Sequence, residues 1–441
     1  MMEWSNWSGS ATCQPSSVHY PRTLADIQRA LRAAGPEDTV RVVGAGHSFP
    51  PVATSDDVLL SLEEYTGLVD VDPDAGTATV RAGTSLHDLN RALAEHDLAM
   101  ENLGDIDKQS VAGALATGTH GTGDEFGVIA TTVERLRLVT ADGGTRELTP
   151  DDGDAFRAAC VSLGTLGVVT EVTLSVRPAY KLAEHNFTAP IDEVLADVDR
   201  YRAEHDHFEF WWFPHTGTAW VKTLNEVDPD TPDEPTPAYE ERLENLAWEG
   251  ICRLGTALPR AATPYLNRAT VATFDEHHAV GPSHEVYATE RDVRFNESEF
   301  GVPADDAVDA FRDLRETVLE HRVQFPVEFR TVAGDDLPIS PAYGRDSVFL
   351  ACHTFHRKPY REFLEDCAAT LEPYDARPHW GKHHWYGADD FADLYPEWET
   401  FQRVRREFDP EGQFLNDHLA DVFEGDGDAV TDSTVATATD D

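Results

Sequence analysis

Lysine is scarce in this chain: 441 residues carry only five, at positions 108, 181, 222, 358 and 382. The 35 basic residues face 81 acidic ones, a formal net charge of -46. A surface this acidic repels nucleic-acid phosphates and anionic membranes at low salt, which argues against both as partners. Its self-repulsion fades once molar salt shortens the screening length to about 3 Å, so the composition predicts a cytoplasmic protein of a high-salt cell. Cysteine is sparse too, and the five residues at 13, 160, 252, 352 and 367 form no CxxC pair. Neither a disulfide framework nor a thiolate zinc site is expected. Long apolar runs are missing: no stretch approaches the ~20 residues needed to span a bilayer, and "MMEWSNWSGSATCQ" lacks a basic region leading into an apolar one.

What remains is ample for packing. The chain is 41% apolar with 10% aromatics, and its length exceeds what one core usually supports, so two domains are expected. Thr23 precedes apolar residues at helical spacing (Leu24, Ile27, Leu31), and "TVRVVG" then reads as a strand. A strand at 76–83 and a helix at 84–98 repeat the pattern, and strand-rich segments run on to Pro178. Beyond it the chain predicts a helix at 191–205, strands in "HFEFWWF", "TAWVKTL", "FPVEFRTV" and 283–295, and a helix from Ala304 to His321. The tail from Gly425 is acidic, poor in large apolar residues and expected to be disordered.

Four segments have the composition of a site. In "VVGAGHSF" the glycines let the backbone approach a ligand, but Phe49 and Pro50 occupy the third-glycine region of GxGxxG, so a Rossmann nucleotide site is not supported. "LGDIDKQSVAGALATGTHGTG" bares successive amides that can cradle phosphate without cations. Each also reads as a plain turn or small-residue loop. Glu328 and Arg330 share one face of a strand, as a solvated pair or a substrate clamp. In "RPHWGKHHW", His379 and His383 have the spacing of helical zinc ligands, but no HExxH glutamate accompanies them.

Read in order, "VVGAGHSF", the glycine-rich stretch, "GTLGVVTEVTL", "PVEFR", "SPAYGRDS", "RPHWGK" and "FDPEGQFLN" resemble the sugar-1,4-lactone oxidases, flavoproteins of the vanillyl-alcohol-oxidase class with alditol oxidases as close relatives. The resemblance implies an α+β fold: a two-subdomain PCMH-type FAD-binding domain at 15–178, then an α/β cap domain at 179–424 whose last segment returns to the flavin. It implies FAD bound covalently through an 8α bond to His47, with Gly44, Ala45, Gly46 and Ser48 along the cofactor. Gly104, Ser110, Gly113, Thr117, Gly118, Thr119 and His120 are implied as further FAD contacts, with Val168 on the adenine side and His379 at the flavin. Glu328, Arg330 and Lys382 are implied as catalytic and substrate-binding residues.

Two departures touch the substrate side: Asp105, where relatives commonly have a small residue, and His353, where alditol oxidases have threonine. In the related dehydrogenases an alanine at the position of Gly104 blocks oxygen, so glycine favours an oxidase releasing H2O2. The expectation is oxidation of a sugar lactone with O2 as acceptor. Its alternatives are an alditol oxidase, a flavin dehydrogenase with another acceptor, or a metal-binding protein using His205, His207, His277, His278, His379, His383 and His384.

Overall fold

The computed structural model describes residues 3–236, 238–289 and 293–425; the rest of the acidic tail lies outside them. The Leu24–Ala33 helix starts where expected, because Thr23 and Asp26 cap each other reciprocally, and it buries Ile27, Ala30 and Leu31. It leads into Val40–Val43, an outer strand of a three-stranded parallel sheet ordered Ser17–His19, Val58–Ser61, Val40–Val43. A second, antiparallel sheet of five strands follows, in the order 145–148, 133–139, 168–175, 77–81, 68–72. Between these two small sheets run the glycine-rich segments.

The second domain is built on one eight-stranded sheet, antiparallel at every pairing, in the order 277–282, 181–190, 218–227, 207–212, 327–332, 347–355, 295–303, 377–378. Alternation along each strand makes the two faces of the sheet unlike. One carries Phe208, Phe210, Trp212, Phe300, Phe329 and Leu350, buried beneath helices Ile191–Ala196, Val198–Glu204, Ala307–Glu320 and Arg361–Leu371. The other carries Glu184, Glu209, Lys222, Glu297, Glu299, Glu328, Arg330 and His353, nearly all of them buried. Each large apolar side chain contributes about 1.5–3 kcal/mol on burial, and the aromatic face thereby offsets the cost of dehydrating the charged one.

After the last strand the chain goes back to the first domain. Phe391, Tyr395, Trp398, Phe401, Val404, Leu419 and Phe423 join the core that holds Leu86, Leu89, Leu136 and Val172. Arg41, fully buried, ties the return together by donating to the carbonyls of Val52 (2.8 Å), Leu163 (2.7 Å) and Phe414 (2.5 Å).

Two elements differ from the sequence reading. Of the strand expected at 283–295, Ser283–Tyr287 is instead a helical turn and residues 290–292 lie outside the described ones; the strands on either side are His277–Pro282 and Phe295–Pro303. The turn buries Tyr287, whose hydroxyl accepts from the Thr122 amide at 2.7 Å, a tertiary contact that local pattern does not report. The helix expected at 191–205 is two helices, broken at Asp197.

The surface charge yields a test. Scanning calorimetry from about 0.1 M to about 2 M KCl should show Tm rising steadily as screening relieves acidic repulsion. A flat or falling Tm would contradict that role for the charge.

Candidate active site

The strand Val40–Val43 delivers the turn Gly44 to Ser48 against the second glycine-rich segment. A Cβ at Gly44 would lie 2.0 Å from Ser110 Oγ, so only a bare Cα fits there. Ser110 is fixed in turn: it caps the Val111–Ala116 helix, its Oγ accepting from the Gly113 amide at 3.3 Å. Gly46 has φ +70°, in the region that favours glycine. Among the described residues the amides of Ala45, Gly46, His47 and Ser48 have no protein acceptor, whereas that of Phe49 donates to Gly381 O at 2.8 Å. This last bond stitches the turn to the segment that carries His379 and Lys382.

These segments wall a cleft that runs from the glycine turn to His379 and Lys382. Ala112, Ala116, Leu163, Gly167 and Val169 make a small, apolar wall, while Glu297, His379 and Lys382 mark a charged end. A close-approach glycine turn and a run of amides without protein acceptors fit an FAD whose diphosphate is held by backbone donors. His47 lies on the cleft with its ring 5.7 Å from that of Trp7. Burial, and then the Lys382 charge, pushes its pKa down to about 4, so its imidazole is neutral at pH 7.

At the charged end Lys382 Nζ meets Glu297 Oε2 at 2.5 Å and Glu299 at 3.8 Å. Burial works to raise the Glu297 carboxyl, yet Lys382 and His353 beside it hold it below the usual carboxylate range. Glu299 is raised, chiefly by burial. From Glu297 the charges continue across the sheet. His353 Nε2 lies 3.3 Å from Glu297 and 3.9 Å from Glu328. Arg330 meets Glu328 at 2.5 Å and Glu209 at 2.8 Å. Lys222 lies 3.5 Å from both Glu184 and Glu209. The Glu328 carboxyl is pushed up to about 7 by burial, against the pull of Arg330 and with Glu209 adding to the rise.

The sequence-predicted residues separate into three groups. Gly44 to Ser48, Ser110, Gly113, Thr117, His379 and Lys382 line the cleft. Glu328, Arg330, His353 and Asp105 lie deeper, in the charged network; Asp105 accepts from Thr289 Oγ1 at 3.0 Å, with Lys222 at 3.8 Å and Arg330 at 3.9 Å. Gly104, Gly118, Thr119 and His120 back the cleft without lining it. The His120 ring centroid sits 3.9 Å from that of Phe349, and its Nε2 is 3.5 Å from Glu299. Val168 packs its side chain in the core beside Val139 and Ile27, while its neighbours Gly167 and Val169 take the cleft side of the strand.

The histidines of the metal alternative are dispersed. His278 stacks on His185 beside Glu276 at the sheet edge, whereas His379 sits near His120. His383 meets Asn296, His207 the Thr122 carbonyl, His205 Asn225 and His277 Thr236. His384 packs between Trp380 and Phe391. The 379–383 spacing falls on loop after a two-residue strand, not on a helix.

Glu184, Glu209, Lys222, Glu297 and Glu299 were not singled out from sequence. Their signal was there: "HFEFWW" and "FNESEF" place lone carboxylates between aromatics on strands, and Lys222 is one of the five lysines.

Lys382→Met would strand Glu297 and Glu299 without their partner and is expected to cost about 3 kcal/mol in urea denaturation near neutral pH. Glu297 is held low in the folded state, so the stability from its ionisation is present at neutral pH and lost in acid; the gap to wild type should narrow below about pH 4. A gap that is negligible, or constant with pH, would contradict the pairing.

Comparison with known proteins agrees with this geometry. Residues 15–149 match an FAD binding domain family and residues 172–422 the family described as D-arabinono-1,4-lactone oxidase. The L-gulono-1,4-lactone dehydrogenase of Mycobacterium tuberculosis is 36% identical over 95% of this chain and 99% of its own. The alditol oxidase of a Streptomyces species is 33% identical over 95% and 99%, and the L-gulonolactone oxidase of Mus musculus 29% over 96% and 98%. Among solved structures, a cholesterol oxidase from B. sterolicum superposes with a TM-score of 0.81 over 96% of each chain at 18% identity, a likeness of fold. With more than half its length matched and such relatives along nearly all of it, this chain belongs to the D-arabinono-1,4-lactone oxidase family of FAD-dependent oxidoreductases.

Proposed function

We propose that the protein oxidises a carbinol of a sugar-1,4-lactone, of the D-arabinono- or L-gulono-lactone kind, with FAD held in the cleft and O2 as final acceptor. The observation that carries this reading is the meeting, at one end of the cleft, of the glycine turn bearing His47 with the Lys382–Glu297 pair. Bound FAD supplies, at its N5, the acceptor for the hydride that leaves the carbinol carbon. The hydroxyl proton goes to the Glu328 carboxylate as the C–O bond becomes C=O. Lys382 and Arg330 provide fixed positive charge where negative charge develops, already in place before the reaction. Glu297 holds Lys382 in position, and Asp105, beside Lys222 and Arg330, disfavours anionic sugars.

His47 is proposed as the covalent tether. A neutral imidazole is the form a nucleophilic attachment requires, and its environment supports that form at pH 7. The supporting argument for oxygen is Gly104, since the resemblance ties an alanine here to exclusion of O2. A Cβ at this position would press on the His120 carbonyl at 3.3 Å and the Thr119 methyl at 3.5 Å.

A substrate panel of lactones, alditols and aldoses in high salt, with peroxide detection, tests the activity. Peroxide with lactones is expected; flavin reduction by none of them would overturn the reading. After acid precipitation of wild type the flavin should stay with the protein, and in His47→Ala it should appear in the supernatant. Free flavin from wild type would end the covalent assignment. Gly104→Ala should slow reoxidation by air while leaving anaerobic reduction near wild type; slow reoxidation already in wild type would favour the dehydrogenase reading.

A further inference from the structure

His353 lies against both Glu297 and Glu328, the carboxylates at the heart of the charged network, and the chemistry of its neighbours fixes its protons. Nδ1 lies 3.1 Å from the Pro326 carbonyl, which can only accept, so Nδ1 carries a hydrogen. Nε2 faces Glu297 Oε1 at 3.3 Å and Glu328 Oε2 at 3.9 Å. A lone pair on Nε2 would be directed at two carboxylates, so a proton has to sit among the three groups. Lys382 keeps Glu297 ionised, which leaves His353 and Glu328 to share it. The ring cannot turn away: Phe295 meets it edge-on at 5.3 Å, and Phe325 stacks at 6.5 Å.

We propose that His353 is a positioning residue whose doubly protonated ring, anchored on Pro326, bridges Glu297 and Glu328 and keeps Glu328 ionised to accept the substrate's hydroxyl proton. The inference rests on the proposed function for its last step only; the charge state of the ring stands apart from it. The surroundings agree. Burial would make the imidazole less basic, but Glu297 and Glu328 outweigh it, and the net shift is upward despite Lys382. Around Glu328 the facing charges are Arg330 on its own strand, Glu209 on the adjoining one, Asp105 from the loop before the glycine-rich helix, His353, Glu297 within 4.8 Å and, farther along, Lys382. Arg330, Lys382 and His353 are the cations among these, and loss of the imidazolium removes one of them, so Glu328 becomes more basic.

The sign is then fixed. Glu328 accepts a proton only when ionised, so the rate of flavin reduction rises with pH through its titration. In His353→Gln, which keeps an N–H donor and removes the charge, that rise should move to higher pH by about one unit or more. The experiment is anaerobic stopped-flow reduction against pH for wild type, His353→Gln and His353→Asn, paired with 15N-histidine NMR of the wild-type holoenzyme. Expected are one imidazole with both nitrogens protonated at pH 7, in contact with the Phe295 and Phe325 rings and absent from the variants, and the alkaline displacement in His353→Gln.

A rate lowered equally at every pH, or a neutral His353 ring at pH 7, would overturn the proposal. Variants that fail to fold leave the NMR of wild type to decide it. Wild-type flavin that no lactone or polyol reduces would instead remove the substrate reading, while the NMR still reports whether the bridge is charged.

Discussion

The structure depends on compensating charge where there is little water. The polar face of the large sheet and its edge bring together six carboxylates, of Asp105, Glu184, Glu209, Glu297, Glu299 and Glu328, with three fixed cations, Lys222, Arg330 and Lys382. Pairing alone cannot balance that set. Burying an unpaired carboxylate costs several kcal/mol, so the remainder has to bind protons. The raised carboxyl of Glu299 and the raised imidazole of His353 are the places where they go, and Glu328, raised to about 7, titrates near neutral pH. A site short of cations thus brings a carboxyl into the range where, once ionised, it can take a hydroxyl proton.

Such a face is stable only because of the one behind it. Each strand that contributes a charge also contributes aromatic or branched residues to the opposite side: Phe208 and Phe210 flank Glu209, and Val327 and Phe329 flank Glu328. Register makes the two inseparable. Slipping a strand by one residue would bury carboxylates under the helices and turn phenylalanines toward the charges, so packing on one side fixes the site on the other. The cleft depends on the same closeness of packing where Gly44 lies so near Ser110 that no side chain fits.

This division explains what the sequence made legible. The helix at Thr23 and the strands around "VEFR" and "HFEFWW" follow from local pattern, because capping and alternation are local. The glycine turn and Lys382 were readable as a site since glycine beside histidine, and lysine in a chain that nearly avoids it, are exceptions to composition. Glu297 and Glu209 were passed over because a carboxylate on a strand is ordinarily solvated; only the sheet order, which puts 295–303 two strands from 327–332, shows them buried. Val168, which the resemblance implies on the adenine side, has its side chain in the core, and alternation turns Gly167 and Val169 to the cleft. The turn at 283–287 is set by Tyr287 reaching Thr122, a contact between residues far apart in the chain.

The acidic surface and the basic residues inside answer to different constraints. Outside, charge is set by solubility, and carboxylates outnumber cations by about two to one. Inside, a cation persists only where something specific needs it. Two of the five lysines, Lys222 and Lys382, sit in the buried network, and Arg41 directs its donors to three backbone carbonyls. Along the glycine turn, among the described residues, the cleft presents the amides of Ala45 to Ser48, which have no protein acceptor. Exposed ion pairs weaken as ionic strength rises, whereas amides fixed by a glycine turn stay where the fold puts them.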